Sequence, residues 1–129
     1  LEPSYNNWPA FLKKIEQRQA QTFTVTWVGD YPDAQNFLQL FASENASPGP
    51  NRCNYRSAEF DRIYRELTAL PESPEREALC RTAADVVLED CPWILMAHPM
   101  AFSVRHDRLQ NYRRHDFPCG MEKYWRIAD

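Results

Sequence analysis

Phe23-Thr24-Val25-Thr26-Trp27-Val28-Gly29-Asp30-Tyr31-Pro32-Asp33 is the stretch from which the rest of the chain is read. Its β-branched and aromatic residues over 23–28 predict a strand. Gly29 ends the run, an acid follows at Asp30, and Asp33 stands where a helix should begin. This order puts Asp30 at the carboxyl end of a strand, the side on which open α/β sheets bind ligands. Alternation places Trp27 on the face of Phe23 and Val25, so core packing is the first expectation for its ring. Tyr31 lies beyond the strand, beside the acid.

Upstream, Trp8, Phe11, Leu12 and Ile15 fall at i, i+3, i+4 and i+7, one apolar face of a helix whose first turn accommodates Pro9. Downstream, Asp33 is placed to cap a second helix, with Ala34, Phe37, Leu38 and Phe41 as its stripe and Asn36 as a structural residue of its first turn. Residues 43–56 are polar and rich in chain breakers, which predicts a surface loop. Ser57 caps a third helix with Glu59 and Asp61 near its positive end and Phe60, Ile63, Tyr64, Leu67 and Leu70 on its buried face. Ser73-Pro74-Glu75 opens a fourth, running to about Asp90. Its wide apolar face of Leu79, Cys80, Ala83, Ala84, Val86 and Val87 predicts burial between layers. After Pro92, Trp93–Ala97 is continuously apolar, as in a strand covered on both faces. Ala101–Val104 extends or restarts it, 106–120 is loop, and 124–127 is a last short strand. The expected fold class is α/β, helices packed on a small mixed sheet, in one domain spanning 1–129.

The composition is that of a folded domain able to bury a core: 129 residues, 43% hydrophobic and 26% charged. A net charge of −3 gives no basic footprint for nucleic acid, and Arg113-Arg114-His115 is too short to supply one. No apolar run approaches the ~20 residues of a membrane-spanning helix. No signal peptide is visible, and the chain opens Leu1-Glu2-Pro3 without a Met, as an excised piece of a longer protein would, so the absence of a targeting segment says nothing about the parent protein. Cys80 and Cys91 share a helix about 16 Å apart and cannot bridge each other. Cys53 and Cys119 lie in predicted loops and could pair if the fold brings them together. No Cys or His pair has metal-site spacing, so no metal or cofactor is expected, and His98, His106 and His115 are read as ordinary residues. Asp30 and Asp33 could be imagined as a hydrolytic acid pair. Three residues across a Pro turn do not fix a catalytic carboxylate separation, and no nucleophile elbow or phosphate loop accompanies them, so no enzyme is expected.

Five segments in order carry a resemblance. They are Trp27-x-x-Asp30-Tyr31-Pro32-Asp33 with Asn36-Phe37-Leu38; Asn54-Tyr55-x-Ser57-x-x-Phe60-Asp61; Arg76-x-x-x-Leu79; Ala83-x-x-x-Val87-x-x-Asp90-x-Pro92; and Trp93–His98. Together they resemble the C-terminal part of the family 5 extracellular solute-binding proteins, receptors of oligopeptide and dipeptide ABC transporters. Members run to several hundred residues, and the likeness is to about the last quarter. Cys80 departs from a frequent Tyr, Cys91 is unusual before the Pro, and 108–126 matches only loosely. The resemblance implies part of the C-terminal lobe of a two-lobed (type II) periplasmic-binding-protein fold that closes on a solute. It also implies that Asp30 holds the free amino terminus of a bound peptide, with Tyr31 and Trp27 beside it. Partners would be a peptide and the permease subunits of the transporter, the location periplasmic or cell-surface, and the state monomeric. A receptor for a nickel chelate or sugar, or the sensing domain of a transcriptional regulator, are the other functions compatible with the same resemblance.

Overall fold

The computed structural model describes residues 2–114, 117 and 120–128. They form two compact units, one through Ile94 and one from Leu95 onward. Together the described residues give a small mixed α/β arrangement of four α-helices and a two-stranded sheet.

The first unit holds all four helices. Helix α1 (Trp8–Glu16) begins at Asn7, whose Oδ1 accepts the Ala10 N–H at 3.0 Å, and Pro9 occupies its first turn. Ile15 is buried, and Phe11 reaches the ring of Phe23 at 6.2 Å. Helices α3 (Ala58–Ala69) and α4 (Pro74–Asp90) form the main packed pair. Both start as the sequence predicts: Ser57 Oγ accepts the Phe60 N–H and Ser73 Oγ accepts the Arg76 N–H. Cys91 ends α4 in the left-handed region (φ 48°, ψ 49°), and Pro92 follows, which cannot continue a helix. Phe60, Ile63, Tyr64 and Leu67 of α3 face Cys80, Ala83 and Val87 of α4, and Phe41 closes the same cluster.

The width of the α4 face misleads in part. Leu79 and Val86 are only partly buried against the core and Ala84 is half-buried, so the helix packs along one side, on α3 and α2, rather than between layers. The second helix also departs from its expected stripe. Helix α2 is a single turn, Gln35–Leu38, and the chain continues through i→i+3 bonds, Leu40 N–H to Phe37 and Phe41 N–H to Leu38. Once the 3.6-residue period is lost, the side chains rotate out of register. Leu38, Leu40, Phe41 and Ala42 are buried, whereas Ala34 and Phe37 face solvent.

Residues 43–56, expected as a surface loop, open with a 3₁₀ turn (Ser43–Asn45) and pack inward on a fully buried Asn51. Its Nδ2 donates to the carbonyls of Ala42 (3.0 Å) and Tyr55 (2.9 Å), and its Oδ1 accepts the Tyr55 N–H at 3.2 Å. Asn45 Nδ2 donates to the Gln39 carbonyl, and the Asn51 N–H returns to the Asn45 carbonyl. The Ser47–Pro48 bond is cis. A Cβ at Gly49 would lie 2.4 Å from the Asn45 carbonyl oxygen, so only glycine fits this close approach.

The expected sheet is where the structure corrects the sequence most. Among the described residues, 23–29 and 93–104 carry no strand pairing. Ile94, Met96, Met100, Phe102 and Val104 are largely exposed, Val104 at 98%. Strand propensity favours a conformation, but a strand exists only where a neighbour supplies the ladder. Among the described residues the two-stranded ladder lies in the second unit. There β1 (Leu109–Gln110), inside a segment expected to be loop, pairs antiparallel with β2 (Arg126–Ile127), within the expected last strand. Tyr124, expected in that strand, instead closes a 3₁₀ turn, Met121–Tyr124.

Candidate functional site

The corner between Gly29 and α2 is organised by a side chain that sequence patterning treats as incidental. Asn36 is completely buried in the first turn of α2. Its Oδ1 accepts the Trp27 indole N–H at 2.9 Å and the Asp30 backbone N–H at 3.2 Å, and its Nδ2 donates to Asp30 Oδ2 at 3.1 Å. The structure thus brings Trp27 and Asp30 together through one amide. A single buried Asn between exposed Ala34 and Phe37 gives no periodic signal. Only the i+6 return from Asp30 creates its role, and that return exists in three dimensions alone.

Asp30 itself is exposed, and no cation pairs with it among the described residues. Its two sequence neighbours in the motif behave differently. Tyr31 is 42% exposed, with an aromatic surface free on the solvent side. Asp33 is engaged: its Oδ1 accepts the Gln35 N–H at 2.8 Å and pairs with Arg76 Nη2 at 3.0 Å. The Gln35 N–H, and next the Arg76 guanidinium, hold its carboxyl below the usual carboxylate range.

Arg76 does more than pair. Its Nε donates at 3.2 Å to the Leu67 carbonyl in the last turn of α3, which also accepts the Leu70 N–H at 3.4 Å, and its Nη2 reaches Gln35 Oε1 at 3.3 Å. One guanidinium therefore ties the start of α4 to the end of α3 and to the corner. Asp33, expected to cap α2, stands one residue before its N-cap Ala34 and instead closes a side-chain turn onto the Gln35 N–H. Arg76→Ala is expected to cost about 1–2 kcal/mol, from the lost ion pair and the weakened turn at Asp33. The pH dependence follows from the sign of the Asp33 shift. A carboxyl depressed in the folded state stabilises above its unfolded value, about 4, and loses that contribution as pH falls through the folded value. Urea midpoints measured from pH 6 down to pH 2 should fall less steeply for Asp33→Asn than for the parent chain.

Trp27 is partly buried against the core, although 23–29 forms no strand and Val25, expected on the same face, is exposed. Its ring lines a cavity of about 140 Å³ with Trp8, Phe23, Trp93 and Arg52. Arg52 Nη1 is buried there without a hydrogen-bond partner among the described residues.

The remaining chemistry-bearing residues are scattered. His98 and His106 are exposed. Cys53, Cys80 and Cys91 are free thiols, with burial pushing that of Cys80 up. Cys119 and His115, and with them the possible Cys53–Cys119 pairing, lie outside the described residues. Among the described residues no cluster of His, Cys, Asp and Glu is placed to hold a metal, and no helix is long and apolar enough to cross a membrane.

No family model matches the chain. Individual proteins do. It is 26% identical over 126 residues to heme-binding protein A of Haemophilus influenzae, covering 98% of this chain and 23% of that protein. It is 30% identical over 106 residues to di/tripeptide-binding protein 4 of Pseudomonas aeruginosa, covering 81% and 20%. It is 24% identical over 106 residues to the dipeptide-binding protein of Escherichia coli, again covering 81% and 20%. The chain thus spans about a fifth of the length of the curated relatives it matches, and all of them are named for binding a solute rather than for catalysis.

Proposed function

Because the chain belongs to the family 5 extracellular solute-binding proteins, we propose that it forms part of the C-terminal lobe of a receptor that closes on a peptide and delivers it to an ABC permease. The peptide's free amino terminus is held by Asp30, with Tyr31 and Trp27 as neighbouring aromatic surface. The receptor works outside the cytoplasmic membrane, as a monomer and without catalysis, and residues 1–129 are one piece of its lobe.

The observation that carries the reading is the state of Asp30: exposed, unpaired with any cation among the described residues, and anchored from behind by a buried amide. An anchored carboxylate open to solvent is suited to a ligand ammonium. Such a charge-assisted hydrogen bond contributes roughly 1.5–3 kcal/mol, and more weight falls on it when lobe closure excludes water. The exposed apolar residues of 94–104 fit the same reading. An inner strand of a larger sheet has this composition, and the relatives are about four times as long as the chain.

The test is titration calorimetry on the full-length protein that carries this segment. Trialanine should bind, N-acetyl-trialanine should bind far more weakly, and Asp30→Asn should weaken trialanine by about 30-fold, or ~2 kcal/mol. Equal affinity of Asp30→Asn and parent for trialanine removes Asp30 from the site. A second reading, a receptor for a non-peptide solute, draws on the heme-binding relative that matches nearly the whole chain. Native mass spectrometry of the receptor purified without refolding separates the two. A ladder of short peptides supports the first, and a single heme, nickel-chelate or sugar mass supports the second. A helix-turn-helix in the full-length sequence would point to a regulator.

A further inference from the structure

We propose that Asn36 is a positioning residue for ligand recognition: it fixes the Asp30 carboxylate so that one oxygen is held by the protein and the other is left for the ligand. This rests on the reading of Asp30 as the ammonium-binding group.

The argument begins with what an amide can do. Asn36 Oδ1 faces two groups that can only donate, the Trp27 indole N–H and the Asp30 backbone N–H. Two donors occupy both lone pairs of the oxygen and forbid the flipped amide, which would set N–H against N–H. The Nδ2 end must therefore face Asp30, and it meets Oδ2 at 3.1 Å. Full burial of Asn36 keeps solvent from its own amide, although Asp30 at the other end of the bond is exposed. The Gln39 side chain, donating to the Asn36 carbonyl at 3.1 Å, braces the same turn.

The consequence falls on Asp30. Oδ2 is occupied, while Oδ1 has no partner among the described residues and lies on an exposed side chain. Among the described residues no ion pair engages it, and the nearby Asp33 and Arg76 are bonded to each other. An ammonium arriving at Oδ1 meets an acceptor whose direction is already set, so less ordering cost is met on binding. Asn36 also ties Asp30 to Trp27, so the acid and the aromatic surface move as one piece.

A purely structural role for Asn36 would need only its Oδ1 bonds. The discriminating variant is Asn36→Asp, which keeps the shape and both Oδ1 bonds but sets a second carboxylate against Asp30. Two carboxylates at this distance cannot both ionise without strong repulsion, so the pair shares a proton at low pH and loses it as pH rises. The shared proton replaces the missing N–H. In the full-length protein, the Asn36→Asp to parent ratio of trialanine affinities, taken at equal pH to cancel titration of the ligand, is expected near unity at pH 5. At pH 8 it should fall by at least 10-fold.

Asp30→Asn, run alongside, separates the two layers of the argument. If Asp30→Asn loses trialanine while Asn36→Asp matches the parent at both pH values, Asp30 keeps its role and Asn36 loses the one proposed. A loss in Asn36→Asp that is equal at both pH values reduces Asn36 to a structural residue. Unchanged affinity in Asp30→Asn overturns both. Should Asn36→Asp not fold, Trp27→Phe carries the test, because it removes one of the two donors that orient the amide. The preference for trialanine over N-acetyl-trialanine should then fall about three-fold or more, and an unchanged preference overturns the proposal.

Discussion

Phe60→Ala is expected to lower the unfolding free energy of the chain by about 3–5 kcal/mol, read as a drop in urea midpoint at constant slope. Phe60 is completely buried and sits at the centre of the ring cluster. Its ring stacks on Tyr64 with centroids 5.9 Å apart and meets Phe41 and Tyr55 edge-on at 6.1 and 6.2 Å. Phe41 in turn packs on Trp93 at 4.7 Å. Removing the Phe60 ring therefore leaves a void bordered by large rigid groups. They are held by α3, by the turns after α2 and by the segment after α4, and cannot collapse together. Since a small domain has only about 5–15 kcal/mol in total, this one change consumes much of the margin. The far-ultraviolet dichroism of the variant should show partial loss of helix at 25 °C. A midpoint within error of the parent would mean that the aromatic cluster is not the core of this unit.

Asn51→Leu is expected to cost about 3 kcal/mol or more, although it places an apolar residue in a fully buried position of nearly the same size. The side chain amide satisfies the carbonyls of Ala42 and Tyr55 and the Tyr55 N–H. Leucine satisfies none of these. The Ala42 carbonyl keeps the Asn45 N–H, but the Tyr55 carbonyl and N–H are left unpaired, and each such buried group costs about 1–3 kcal/mol. Asn51→Asp is a useful companion. It keeps the acceptor for the Tyr55 N–H but sets a carboxylate oxygen against two carbonyl oxygens, so it should be at least as damaging near neutral pH. The loop 43–56 should lose its protection from hydrogen exchange in both variants before α3 and α4 do. If Asn51→Leu melts with the parent, residues 43–56 are held by something other than this side chain.

Helices α1, α3 and α4 were legible in the residues because their information is local. Apolar spacing at 3.6 residues, Ser57 and Ser73 before acidic first turns, and Pro92 after the last turn are all decided within a few positions of the chain. The buried side of α3 followed from the same spacing as far as Leu67, while Leu70 falls at the end of the helix and is half-buried; the ion pair of Arg76 with Asp33 did not follow from it. The motif around Asp30 was legible as a motif. Its likeness to the solute-binding receptors needed only residue identity and order.

The tertiary structure alone decided three things. It shortened α2 to one turn, because i→i+3 bonds after Leu38 replaced the period on which the expected stripe depended. It gave Asn36 and Asn51 their roles, since a buried amide is recruited by donors and acceptors that arrive from elsewhere in the chain, and composition cannot say which will arrive. It also withheld the expected ladders at 23–28 and 93–97 and formed one instead between Leu109–Gln110 and Arg126–Ile127. A helix closes its hydrogen bonds within its own residues, so a short sequence can specify it. A strand must borrow a partner, and whether the borrowed edge is there is a property of the assembled structure.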